Sequence, residues 1–146
     1  GVSEVRPGNY VFYDAFQAAI GSCELDEVAF SVLATVVSVQ PEYGHAVVDA
    51  GALALSRDPG PLHVDPDCGF GRCVAVEDQH PLPGLQLTAL SQEHGTLGGP
   101  GVAALRPGTR LRILPNHSCL AAACFDAYRV LRGTEVVDEW HPVRGW

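Results

Sequence analysis

Apolar and polar residues alternate along short stretches of this chain, and they seldom recur at the spacing of a long amphipathic helix. Ala29 to Gln40, rich in Val, Phe and Thr with near alternation, predicts a long strand. Pro41-Glu42-Tyr43-Gly44 reads as a turn, and His45 to Asp49 is predicted to pair back as a hairpin. Cys73 to Glu77 and Leu85 to Glu93 predict two more short strands, joined around Pro81 and Pro83. Arg106-Pro107-Gly108 leads into a strand over Thr109 to Leu114, and Tyr128 to Arg132, Gly133-Thr134 and Glu135 to Trp140 predict a final hairpin. Near the start, Tyr10-Val11-Phe12-Tyr13 reads as extended, and Asp14 as the N-cap of a short helix from Ala15 to Ile20. Leu120 to Phe125 is helix-prone. Gly51 to Cys73 is rich in Gly, Pro and Asp and predicts an ordered surface loop, of a length more often functional or interfacial than idle. About seven strands at short, even spacing indicate one antiparallel all-β domain, a barrel or a sandwich.

Charge and composition narrow the partners. A net charge of −8 argues against nucleic acid or an anionic membrane, both of which attract clustered cations. No apolar run approaches the roughly 20 residues of a membrane span, and the first residues lack a secretory pattern. Five cysteines, an odd number, fit a reduced cytoplasmic compartment better than a disulfide framework. All nine basic residues are arginine, so no side chain of this sequence can form a Schiff base.

The candidate chemistry centres on Pro115-Asn116-His117-Ser118-Cys119, at the end of a predicted strand. Residues i and i+2 of an extended segment share a face, about 6.5 Å apart. An imidazole and a thiolate so placed can bind one metal ion and leave coordination positions open. Their softness favours zinc over magnesium or calcium. The competing reading is a capping histidine and a buried cysteine. Glu93, in Ser91-Gln92-Glu93-His94-Gly95, is a candidate to fix an imidazole tautomer beside the metal. His63, Cys68 and Cys73 match no common zinc spacing, and Asp49-Ala50-Gly51 and Asp58-Pro59-Gly60 are turn sequences first.

Several motifs occur together and in order: Glu4-Val5-Arg6-Pro7-Gly8-Asn9-Tyr10-Val11-Phe12-Tyr13-Asp14, Val48-Asp49-Ala50-Gly51, Glu93-His94-Gly95, Leu105-Arg106-Pro107-Gly108 and Pro115-Asn116-His117-Ser118-Cys119. The ending, Val136-Val137-Asp138-Glu139-Trp140 with Arg144-Gly145, belongs to the same set. Over nearly its whole length the chain resembles the C-terminal part of the D-threonine aldolase and D-serine dehydratase family, pyridoxal-phosphate enzymes of the alanine-racemase fold type.

The resemblance implies that residues 1–146 form an antiparallel β-barrel with a few short helices. Residues 1–14 would be the end of a preceding pyridoxal-phosphate-binding (β/α) barrel, which would also carry the Schiff-base lysine. Arg6, Gly8, Asn9 and Tyr10 would then lie at the cofactor, and His117 and Cys119 would hold a divalent metal, zinc foremost, that activates the substrate's β-hydroxyl. A cysteine as second ligand points to the dehydratase branch, a carboxylate to the aldolase branch. The expected partners are a small D-amino acid, the N-terminal barrel domain and, in the full-length enzyme, a second copy in a homodimer. This chain alone would be inactive. The alternative is a stand-alone, non-catalytic β-barrel that binds a metal or a partner.

Overall fold

A computed structural model describes residues 1–5 and 7–143; Arg6 and the closing residues 144–146, with the expected Arg144-Gly145 motif, lie outside the described residues. The fold is all-β. A six-stranded antiparallel sheet is built from β1 (Val32–Gln40), β2 (His45–Val48), β3 (Gly71–Val74), β4 (Gln86–Leu90), β5 (Gly95–Gly98) and β6 (Arg110–Pro115). Its order is β3-β6-β1-β2-β5-β4, and it curls until its two edges approach. There Phe70 N donates to Leu87 O at 2.9 Å, so the barrel is nearly closed. A separate hairpin, β7 (Tyr128–Arg132) with β8 (Glu135–Trp140), stands against it. Three short helices, α1 (Ala15–Ala19), α2 (Ala52–Leu55) and α3 (Ser118–Ala122), fill the connections.

β1 serves two neighbours. Its first half pairs with β6, from Val32–Ile113 to Thr35–Arg110. A register shift between Val36 and Ser38 then turns the strand, and its second half pairs with β2. Such an irregularity bends a strand and increases its twist, which the tightly curled sheet requires. Val32, Ala34 and Val36 face the core while Leu33 and Val37 are exposed. This is the period of two expected of a strand covered on one face.

β6 differs because both its faces are covered, and Leu111 to Pro115 are all buried. Leu111 and Ile113 enter the main core with Val48, Leu55, Leu87, Leu97 and Phe30. Leu114 points the other way, into a second cluster with Val28 and Val74, closed over by Tyr13, Cys23 and Leu25. The segment from Tyr13 to Val28 therefore lies across the outside of β6 and β3. This cover brings Asp14 to the end of β6.

Three elements depart from the predicted ones. Tyr10 to Tyr13 is not extended: Phe12 N and Tyr13 N donate to Asn9 O at 3.1 and 2.8 Å, closing a turn that drops the Phe12 ring beside Phe30 and Tyr128. β5 carries glycine at two of four positions and so has no strand propensity of its own; pairing with β2 and β4 on its two sides forms it. The long loop contains α2, anchored by the fully buried Leu55. Among the described residues no helix is long and apolar enough to cross a membrane.

Cys73 sits in the main core, and burial pushes its thiol up to about 12. Since the unfolded thiol ionises near 9.0, this residue's contribution is fully present below that pH and drains away as pH rises toward 12. Between pH 8 and 10 the fold should lose about 1.4 kcal/mol through this group. Urea unfolding at the two pH values, with Cys73→Val beside wild type, checks this. The variant should lack that share of the alkaline loss.

Candidate metal centre

The chain leaves β6 at Pro115 and enters α3 at Ser118, so the His-x-Cys segment spans a junction rather than an extended run. His117 is the N-cap of α3, with extended backbone at φ −136° and ψ 101°, and its side chain makes no cap hydrogen bond. Cys119 lies in the first turn of the helix and is exposed. The expected strand-like i, i+2 geometry is thus replaced by a strand-to-helix step. Neither residue is in the core: the imidazole is 41% exposed and caps nothing through its side chain, and Cys119 is not buried, so the competing reading does not hold.

Two aspartates hold this junction in place. Asp14, only 1% exposed, caps α1 by accepting from Gln17 N at 2.9 Å through Oδ1. Its Oδ2 accepts from Ser118 N at 3.0 Å, between the candidate ligands, and also from Asn9 Nδ2. One carboxylate oxygen therefore joins the N-terminal segment to the His-Ser-Cys segment. The second aspartate is Asp58, whose Oδ2 lies 3.1 Å from His117 Nδ1. Asp58 Oδ1 accepts from Gly60 N at 2.8 Å, the signature of an Asx turn. Buried Asn116 completes the arrangement, donating through Nδ2 to Asp58 O at 3.2 Å and to Gly69 O at 2.8 Å. Gly60 is required here: its φ is +65°, and a Cβ would stand 2.5 Å from the Asn116 amide. Ser56, just upstream, also adopts a positive φ of 65° with ψ 178°, a region that disfavours side chains.

The expected partner Glu93 is exposed in the turn between β4 and β5; the imidazole's partner is Asp58. The sequence showed Asp58 only as turn chemistry, because its 59-residue separation from His117 leaves no local signal. The remaining sulfur candidates do not assemble. Cys68 Sγ donates to Pro59 O at 3.4 Å, Cys73 is in the core, and the His63 ring packs on Phe16 with centroids 5.7 Å apart. Among the described residues no three His, Cys, Asp or Glu side chains converge to hold a metal ion. The donor set of His117 and Cys119 does fit a soft divalent ion in its chemistry, with other coordination positions left to substrate, water or a further chain.

The expected cofactor segment lies close by along the chain. Gly8 is open, since a Cβ there would meet nothing within 4 Å, and Tyr10 is exposed, so backbone and phenol are approachable. Asn9 is engaged through its amide with Asp14, leaving its Oδ1 for another group. Arg6 lies outside the described residues.

Comparison with known proteins gives this site its family. A family model described as "Putative serine dehydratase domain" matches residues 29–131. The D-threo-3-hydroxyaspartate dehydratase of a Delftia species is 44% identical over 153 aligned residues, which cover all of this chain and 40% of that protein. Its solved structure superposes on 94% of this chain and 38% of its own with a TM-score of 0.84 and 41% identity. The D-serine dehydratase of Dictyostelium discoideum is 38% identical, with the match covering all of this chain and 38% of that protein. An uncharacterized protein of Mycobacterium bovis is 36% identical over 131 residues, covering 87% of this chain and 91% of that protein. This chain therefore belongs to the D-serine dehydratase and D-threonine aldolase family, whose structural neighbours are alanine-racemase-like enzymes. It spans about two fifths of the length of the two dehydratases it matches. Solved structures of D-threo-3-hydroxyaspartate dehydratase include a cysteine-to-alanine variant in a metal-free form and a histidine-to-alanine variant. The two replaced positions are two apart in sequence, the histidine first, as in His117-Ser118-Cys119.

Proposed function

We propose that this chain is the metal-binding C-terminal domain of a pyridoxal-phosphate-dependent lyase acting on D-β-hydroxy amino acids. One observation carries the reading. An imidazole with Nδ1 engaged and Nε2 unbonded among the described residues is followed two positions later by an exposed thiol. That is the spacing of the histidine and cysteine replaced in variants of D-threo-3-hydroxyaspartate dehydratase. His117 and Cys119 hold the ion, and nitrogen with sulfur favours zinc. When bound, zinc stabilises a departing β-hydroxyl as a Lewis acid, and pyridoxal phosphate withdraws electrons from the substrate's Cα.

The chain's own residues position and orient. Asp14 and Asn116 fix the segment that presents both ligands, and two protein ligands leave positions on the ion for the substrate. Gly8 offers close backbone approach to the cofactor, Asn9 a carbonyl and Tyr10 a phenol within reach of a phosphate, with Arg6 as the expected cation beside them. Lacking lysine, the chain depends on an N-terminal barrel domain for the Schiff base and is catalytically silent alone. The cysteine ligand and the 44% identity to a dehydratase favour elimination over retro-aldol cleavage.

Elemental analysis of the dialysed chain tests the site. About one zinc per chain is expected in wild type and none in His117→Ala or Cys119→Ala. Metal retained in both variants, or absent from wild type, would sink the reading. The short Mycobacterium bovis relative favours a second possibility, a stand-alone barrel that binds metal without catalysis. Pairing this chain with a lysine-bearing pyridoxal-phosphate barrel from the family distinguishes the two. Turnover of a D-β-hydroxy amino acid supports the lyase; its absence in a complex that forms supports the module.

A further inference from the structure

The structure assigns Asp58 a task that reaches beyond its turn: it fixes the tautomer of His117, and with it the nitrogen offered to a metal. This positioning role rests on the proposed metal site. A carboxylate accepts hydrogen bonds and cannot donate them. With Asp58 Oδ2 3.1 Å from His117 Nδ1, the imidazole proton of the neutral ring sits on Nδ1 and the Nε2 lone pair stays free. Neutral imidazole in water favours the opposite tautomer, so the assignment is a definite departure from what the ring would adopt unaided. The carboxylate is itself pinned. Its other oxygen accepts from Gly60 N at 2.8 Å, and its backbone oxygen accepts from Asn116, the residue immediately before His117. Asp58, Asn116 and His117 thus close a ring of contacts across the loop and the end of β6.

The Gly60 contact makes the inference sharp. That N–H requires an acceptor, so an asparagine at position 58 would place its carbonyl there and turn its NH2 toward His117 Nδ1. Nδ1 would then have to accept, the ring proton would move to Nε2, and the metal-binding lone pair would be lost. An alanine at 58 only releases the ring to choose. The nearly isosteric Asp58→Asn is therefore the more damaging change for metal and the milder one for the fold. A purely structural role predicts the reverse.

The full chain, labelled with 15N-histidine and metal-free at pH 8, reports the tautomer by long-range 1H–15N correlation, with His117→Ala assigning the signal. Zinc affinity follows from competition with a chromophoric chelator. Wild type should show the Nδ1–H form and Asp58→Asn the Nε2–H form. Zinc affinity should fall about 100-fold in Asp58→Asn and about 10-fold in Asp58→Ala. A wild-type ring in the Nε2–H form, or Asp58→Asn binding zinc at least as well as Asp58→Ala, overturns the role; if either variant unfolds, the wild-type tautomer alone decides. A wild type that binds no zinc instead defeats the metal site, while the tautomer still tests Asp58.

Discussion

Asp14→Ala should destabilise the protein by about 4 kcal/mol, near a 10 °C fall in melting temperature for a domain of this size. Three donors converge on this buried carboxylate: Gln17 N, Ser118 N and Asn9 Nδ2. Truncation leaves all three without an acceptor where water has little access, and each hydrogen bond to a charged group is worth roughly 1.5–3 kcal/mol, not additively. It also removes the cap of α1, itself worth about 1 kcal/mol. Asparagine is no remedy. All three partners donate, so either amide orientation sets a donor against a donor, and Asp14→Asn should still cost about 2 kcal/mol. Chemical denaturation measures both. Loss below 1 kcal/mol in Asp14→Ala would mean that the carboxylate does not tie the two segments together. Zinc affinity should fall too, since Ser118 N is the anchor between the candidate ligands.

Asn116→Ala should cost about 3 kcal/mol and loosen the loop carrying Asp58. The amide spans two carbonyls, Asp58 O and Gly69 O, from opposite ends of that loop, and it is 2% exposed. Removing it takes the amide donor from Asp58 O, leaves Gly69 O with the weak Cys68 thiol donor at 3.5 Å, and opens a void beside Gly60, penalties that add. Hydrogen exchange should locate the damage, with protection lost at Gly60 N and little changed in β1 and β2. Uniform loss across the barrel would show instead that Asn116 serves the whole core.

Much of the architecture could be read from local pattern. β1, β2, β7 and β8 follow from alternation and turn residues, and Asp14 from capping chemistry, because each signal lies within a few residues. β5 could not be read, since its glycines take their conformation from the strands on either side. The turn at Asn9 to Tyr13 misled because aromatic and β-branched residues have strand propensity, while here Phe12 is drawn into the aromatic cluster of Phe30 and Tyr128. At the candidate site His117 and Cys119 were legible as a spacing. Their two supports were not: Asp14 and Asp58 act over 104 and 59 residues, and neither contact has any periodicity to announce it.

The cover over the outer face of β6 also bears on where this domain can be cut. The family match begins at residue 29, yet Tyr13, Cys23, Leu25 and Val28, which seal Leu114 and Val74, all precede it. So does Asp14. A protein trimmed to residues 29–131 would keep every strand of the barrel but bare one side of its most enclosed strand, and it would lose the carboxylate that steadies Ser118. The stretch matched by the family model is thus smaller than the packed unit, and deletion from the N-terminus should bare apolar surface on β6 before it removes a single barrel strand.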